Sequence, residues 1–126
     1  MSEPTMIGLS ERVHSLLSQM KEDGHFNEMA DGYRLGIALA LAHGAIPGEV
    51  PTPRKTVFSV ATIDPEQEIA AAIRALGQVD GGLVYRYAER LAEWGVGELS
   101  LRFETGPIDV LGLISRPSAK GGAAAP

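Results

Sequence analysis

The chain has no cysteine. That excludes a disulfide framework, a thiolate metal site and a cysteine nucleophile, and it fits a reducing compartment. No apolar run approaches the roughly 18 residues of a membrane span, since Arg34 and His43 bracket a stretch of only eight. The N-terminus lacks the basic-then-apolar order of a signal peptide. A cytoplasmic protein without membrane contact is therefore expected. Clustered basic charge is scarce too. The formal charge is -5, from 16 acidic and 11 basic residues, and Arg54-Lys55 is the sole adjacent basic pair. A broad phosphate-binding surface is disfavoured, because counterion release needs grouped Lys and Arg.

Catalytic and metal-ligating patterns are also missing. His14, His25 and His43 match neither i, i+4 nor zinc spacing. His43 reads instead as a complement to a helix C-terminus and His25 as a turn residue. The serines lie in no G-x-S-x-G elbow, and Gly81-Gly82 precedes no phosphate-loop lysine. Acidic pairs such as Glu66 and Glu68 read as a solvated helix start. No enzyme, metal or cofactor is indicated.

What is present is helical periodicity. At 126 residues, 44% of them hydrophobic, the chain is long enough to bury a core as one domain. From Met29 to Ala42 the polar side chains are Asp31, Tyr33 and Arg34, so this helix is apolar around most of its circumference and must be covered on several sides. Ahead of it, Met6 to Leu9 forms a short extended segment and Ser10 caps a helix, with Glu11 in its first turn. Val13, Leu16, Leu17 and Met20 fall at i, i+3, i+4 and i+7. Gly24 ends that helix. Asn27 is placed to cap the next one, with Phe26 as a hydrophobic staple, and Gly44 to stop it.

Pro47, Pro51 and Pro53 then impose an extended connection over the surface. Thr56 to Ile63 is β-branched and strand-like, with either the Met6 segment or another subunit as its pairing partner. Asp64-Pro65-Glu66-Gln67 carries an Asp N-cap, Pro at N1 and a capping-box Gln. It predicts a helix from there to a stop at Gly77, with Ile69, Ala72, Ile73 and Leu76 inward. After a turn at Asp80-Gly81-Gly82, a helix from Leu83 to Trp94 buries Leu83, Tyr87, Leu91 and Trp94. Arg86, Glu89, Arg90 and Glu93 then lie on its solvated side, and Gly95 and Gly97 break it. A short helix from Glu98 to Glu104 and an apolar segment from Ile108 to Ile114 follow. The expected fold is mainly all-α: four to five helices with at most a short β-ribbon, one domain over residues 1–114 and a disordered tail over 115–126.

The extended Met6 segment, the LSERVHSLL stretch, the Gly24-His25-Phe26-Asn27 turn and the MADGYRLGIALAL helix together resemble the ribbon-helix-helix family of dimeric DNA-binding proteins. The resemblance covers Met6 to Gly44. It implies extended segments paired antiparallel across a dimer, interlocked helices, and strands in the major groove, here with Thr5, Met6, Ile7 and Gly8 in the strand. Thr5 and the Arg54-Lys55 pair become the candidate nucleic-acid contacts. Self-association falls to the apolar helix, through Met29, Gly32, Tyr33, Gly36, Ile37 and Leu41. Gly32 and Gly36, four apart, have two readings: a flat floor for a close helix crossing, or relief of clash with the chain's own C-terminal half. The functional expectation is a non-enzymatic, self-associating accessory or adaptor protein, a dimer or higher homo-oligomer with a protein partner. The alternative is a small dimeric DNA-binding regulator.

Overall fold

The computed structural model of the chain describes residues 2–76 and 82–104. These residues form five helices and one antiparallel ribbon, in the order β1 (Met6–Ser10), α1 (Glu11–Glu22), α2 (Met29–Ala42), β2 (Arg54–Ser59), α3 (Val60–Ile63), α4 (Glu68–Leu76) and α5 (Val84–Glu104). The fold is mainly helical with a short ribbon, as the periodicity predicts. No helix among the described residues is long and apolar enough to cross a membrane. The expected Gly77 stop, most of the Asp80-Gly81-Gly82 turn, the Ile108 to Ile114 segment and the tail lie outside the described residues.

Local signals set the first half. The Ser10 hydroxyl accepts from the Val13 N–H at 3.2 Å and starts α1, which buries Val13, Leu17 and Met20. Gly24 follows its end at φ 86°, a conformation that glycine adopts without steric cost. Glu28 rather than Asn27 occupies the N-cap of α2 and makes no side-chain cap bond. The staple residue still acts: a Cβ on Gly32 would come within 2.7 Å of the Phe26 ring. Gly44, at φ 65°, follows the C-cap His43.

The strand question resolves within the chain. β2 pairs antiparallel with β1, Met6 opposite Ser59 and Ser10 opposite Arg54, with a register shift between Ile7 and Gly8. Gly8 allows the shift, because a Cβ there would overlap the Lys55 backbone. The extended run ends at Ser59, earlier than the β-branched composition predicts. Val60 to Ile63 turns into one helical turn, capped by the Ser59 hydroxyl; tertiary context overrides strand propensity here.

Two helix boundaries also differ from expectation. Asp64 does cap α4, its carboxylate accepting from Ile69 at 2.9 Å and Ala70 at 3.0 Å. The helix nevertheless begins at Glu68, because Gln67 sits at φ 60° and interrupts the helical path. And α5 runs unbroken through Gly95 and Gly97 to Glu104. Gly95 faces the backbone of Gly36, so the glycine that reads as a helix breaker is the point where α5 crosses α2. Packing at the crossing offsets the intrinsic cost of glycine, about 1 kcal/mol relative to alanine.

The core lies between α2 and α5, closed by α1 and the ribbon. Tyr33, Ile37, Leu39, Leu91, Val96 and Leu99 are buried there with Ile7, Leu9 and Leu17. The cover that α2 requires comes from the chain itself.

Candidate functional site

Of the candidate association residues, Gly32, Tyr33, Gly36 and Ile37 are buried in this core, and Met29 and Leu41 are half-buried against it. Their burial needs no second subunit. The Gly32 and Gly36 pair divides: Gly36 serves the close-crossing reading, with the backbone of Val96 and Gly95 of α5 at 2.9 and 3.2 Å from an added Cβ, whereas Gly32 makes room for the side chains of Leu17 and Phe26, which belong to the N-terminal half.

The candidate nucleic-acid residues separate. Thr5 and Lys55 are exposed. Arg54 is not the solvated loop charge that its neighbourhood of prolines suggests: it lies on β2, half-buried, and ion-pairs with Glu89 of α5. Glu89, expected on the solvated side of its helix, is only 3% exposed. Its Oε2 also accepts from the Gly8 N–H at 2.8 Å, and its Oε1 lies 3.3 Å from Arg86. One turn on, Glu93 accepts from the Ser10 N–H at 2.9 Å and the Ser10 hydroxyl at 2.7 Å. Tyr33 donates to the Gly8 carbonyl at 2.9 Å. The second edge of β1 is thus held by side chains. A strand from another copy, as the ribbon-helix-helix resemblance implies, would have to displace them.

Asp64 and Glu3 are committed to structure in the same way. Asp64 receives two amide protons of α4 and the Tyr85 hydroxyl, at 2.7 Å. Glu3 caps α5 by accepting from Val84 at 2.8 Å and Tyr85 at 3.0 Å. Among the described residues no group of His, Asp or Glu is arranged to hold a metal ion.

Two expected outcomes follow from these contacts. Arg54→Ala leaves the buried Glu89 carboxylate short of a charged partner and should cost about 1.5–3 kcal/mol, the range for hydrogen bonds to charged groups. Lys55→Ala, at an exposed neighbour, should stay within about 0.5 kcal/mol. Urea denaturation of both variants checks the contrast. The second outcome concerns alkaline pH. Burial, and then the bond to Asp64, push the Tyr85 phenol up to about 12 from its ordinary value of 10.0. Burial likewise raises Tyr33 well above it. A phenol whose folded pKa is raised contributes stability that is fully present below pH 10 and is lost as pH rises through the folded value. Stability should therefore fall between about pH 10 and 12, and less steeply in Tyr85→Phe, as followed by melting temperature and phenolate absorbance.

Besides a hollow of about 690 Å³ beside Met6, Val60 and Tyr85, the surface carries a groove of about 440 Å³ between α1, the 45–51 connection and the second half of α5. Leu16, Pro47, Pro51, Trp94 and Leu101 give it apolar walls, and Gly97 lies among them. Trp94, expected to be buried, is half-buried, and its ring lies 5.9 Å from that of His43. Leu101 is 58% exposed. Reading Gly95 and Gly97 as breakers hid this face. The available signal was the spacing of Trp94, Gly97 and Leu101 at i, i+3 and i+7, which places them on one side once the helix is continuous.

Comparison of the chain with family models, curated proteins and solved structures finds no match.

Proposed function

We propose that the protein is a non-enzymatic accessory or adaptor module that holds a protein partner in the groove along the second half of α5. The observation that carries this reading is the face Trp94, Gly97 and Leu101, which leaves a large exposed leucine beside a half-buried tryptophan on a helix whose other side is fully packed. Buried anchors of this kind, aromatic or aliphatic in a pocket with a polar rim, are what protein interfaces concentrate their binding energy on. The commitment of Glu89, Asp64, Ser10 and Tyr33 to backbone groups and to one another supports a structural role for each rather than a chemical one.

The test is co-purification of the tagged chain from its own host, with Leu101→Asp as control. Leu101 is exposed, so the variant should fold with an unchanged melting temperature. A stoichiometric protein that accompanies the wild type and is lost from Leu101→Asp supports the reading. A chain that runs alone sinks it. So does binding to a short DNA duplex with a steep salt dependence, which is the signature of phosphate contacts and would favour the regulator.

A further inference from the structure

We infer that the occupant of the groove is a basic amphipathic helical segment of another protein, seated across Gly97 with an apolar side chain between Trp94 and Leu101. This rests on the adaptor reading and specifies the partner's chemistry.

Gly97 is the first observation. Glycine disfavours a helix interior, and at Gly95 and Gly36 the cost is answered by a backbone that a Cβ would strike. At Gly97 a Cβ would meet nothing within 4 Å. Alanine would fit and would favour the helix, so nothing within the described chain requires the glycine. A helix laid over it does, because two backbones approach closely only where one of them lacks a side chain, as α2 and α5 do at their own crossing. The same floor is set between two apolar side chains, one turn to either side.

Charge is the second observation. Four glutamates, Glu49, Glu93, Glu98 and Glu104, line the groove against Arg12 and Arg90. Arg90 is already drawn to Glu49 at 3.7 Å, and Glu98 lies 3.5 Å from Arg102 on the next turn. Glu49, 86% exposed in its side chain, can exchange Arg90 for an incoming cation, and Glu104 is exposed as well. A second copy of this chain, at a net charge of -5, would set like charges against each other, whereas lysine or arginine flanking an apolar stripe complements the rim.

Trp94 is the protein's one tryptophan, so its emission reports on the groove directly. The probes are three synthetic helical peptides: one with leucines at i, i+3 and i+7 and lysines flanking them, its Lys→Glu counterpart, and its Leu→Ser counterpart. The lysine peptide should shift Trp94 emission to shorter wavelength and saturate, with the other two at least tenfold weaker. Gly97→Leu, which fills open space and favours the helix, should keep or raise the wild-type melting temperature and weaken the lysine peptide at least tenfold. Equal binding of the lysine and glutamate peptides, binding of neither, or an unchanged affinity in Gly97→Leu overturns the inference. A dimer in sedimentation that Gly97→Leu dissociates overturns it in favour of a second copy. Should a host partner be lost from Leu101→Asp while the lysine peptide shows no preference, the adaptor reading stands and the basic helix fails.

Discussion

Ile37→Asp is expected to unfold the protein. Ile37 is 1% exposed in the middle of α2, within the cluster that joins α2 to α5. An aspartate there loses the apolar contacts and places a carboxyl group where the surroundings are hydrocarbon. Even after the group takes up a proton the cost is several kcal/mol, against a total stability of about 5 to 15 kcal/mol for a domain. Leu39 sharpens the test. It points away from Ile37 on the helix and is itself fully buried, so it meets neither solvent nor a second subunit. Leu39→Ser should therefore cost about 2–5 kcal/mol, as large-to-small core changes do. Circular dichroism with thermal melts would show Ile37→Asp without a cooperative transition and Leu39→Ser with one at lower temperature. A fully folded Ile37→Asp would mean that α2 is not the centre of this core.

The two helices differ in how much of this the sequence discloses. For α2 the composition suffices: fourteen residues with three polar side chains require cover on every side, whatever supplies it. The start of α1 is equally legible, because a cap and a helical face are local and both lie within ten residues of Ser10. For α5 the local rules mislead. Glu89 alternates in charge with Arg86, Arg90 and Glu93, which is the pattern of a solvated face, and its burial depends on Arg54 and Gly8, each distant in sequence. Nothing near Glu89 announces partners 35 and 81 residues away. Asp64 is an intermediate case. That it would hold the start of α4 is legible locally, but the N-cap with Pro65 at N1 and Gln67 in a capping box does not form: the carboxylate accepts from amides five and six residues on. The left-handed Gln67 that delays the helix and the Tyr85 hydroxyl that Asp64 also holds depend on how α3, α4 and α5 meet. The groove follows the same division. Its walls come from three separated stretches of chain, and only the Trp94, Gly97 and Leu101 spacing belongs to one of them.

Gly95 carries the same kind of non-local information, and Gly95→Ala should be strongly destabilising for a change of one methyl group. A Cβ on Gly95 would fall inside the van der Waals shell of the Gly36 carbonyl oxygen, with the Gly36 carbon and Cα close behind. All three atoms are backbone, so no rotamer change relieves the overlap, and α5 must move away from α2. That separation opens the core along Val96, Ile37 and Leu99, which are packed at the crossing. Overpacking usually costs about 1–3 kcal/mol where side chains can shift; with backbone on both sides the loss should reach about 3 kcal/mol or more. For a chain of this size that lowers the melting temperature by roughly 10 °C or more. Gly97→Ala, two residues on and facing open space, is the internal control: the same substitution in the same helix should raise stability by a few tenths of a kcal/mol to about 1 kcal/mol. Since both changes add one methyl and remove one glycine, helix propensity cancels between them, and the difference in melting temperature measures the crossing alone. Equal effects would show that α5 does not pass backbone to backbone against α2 at this point.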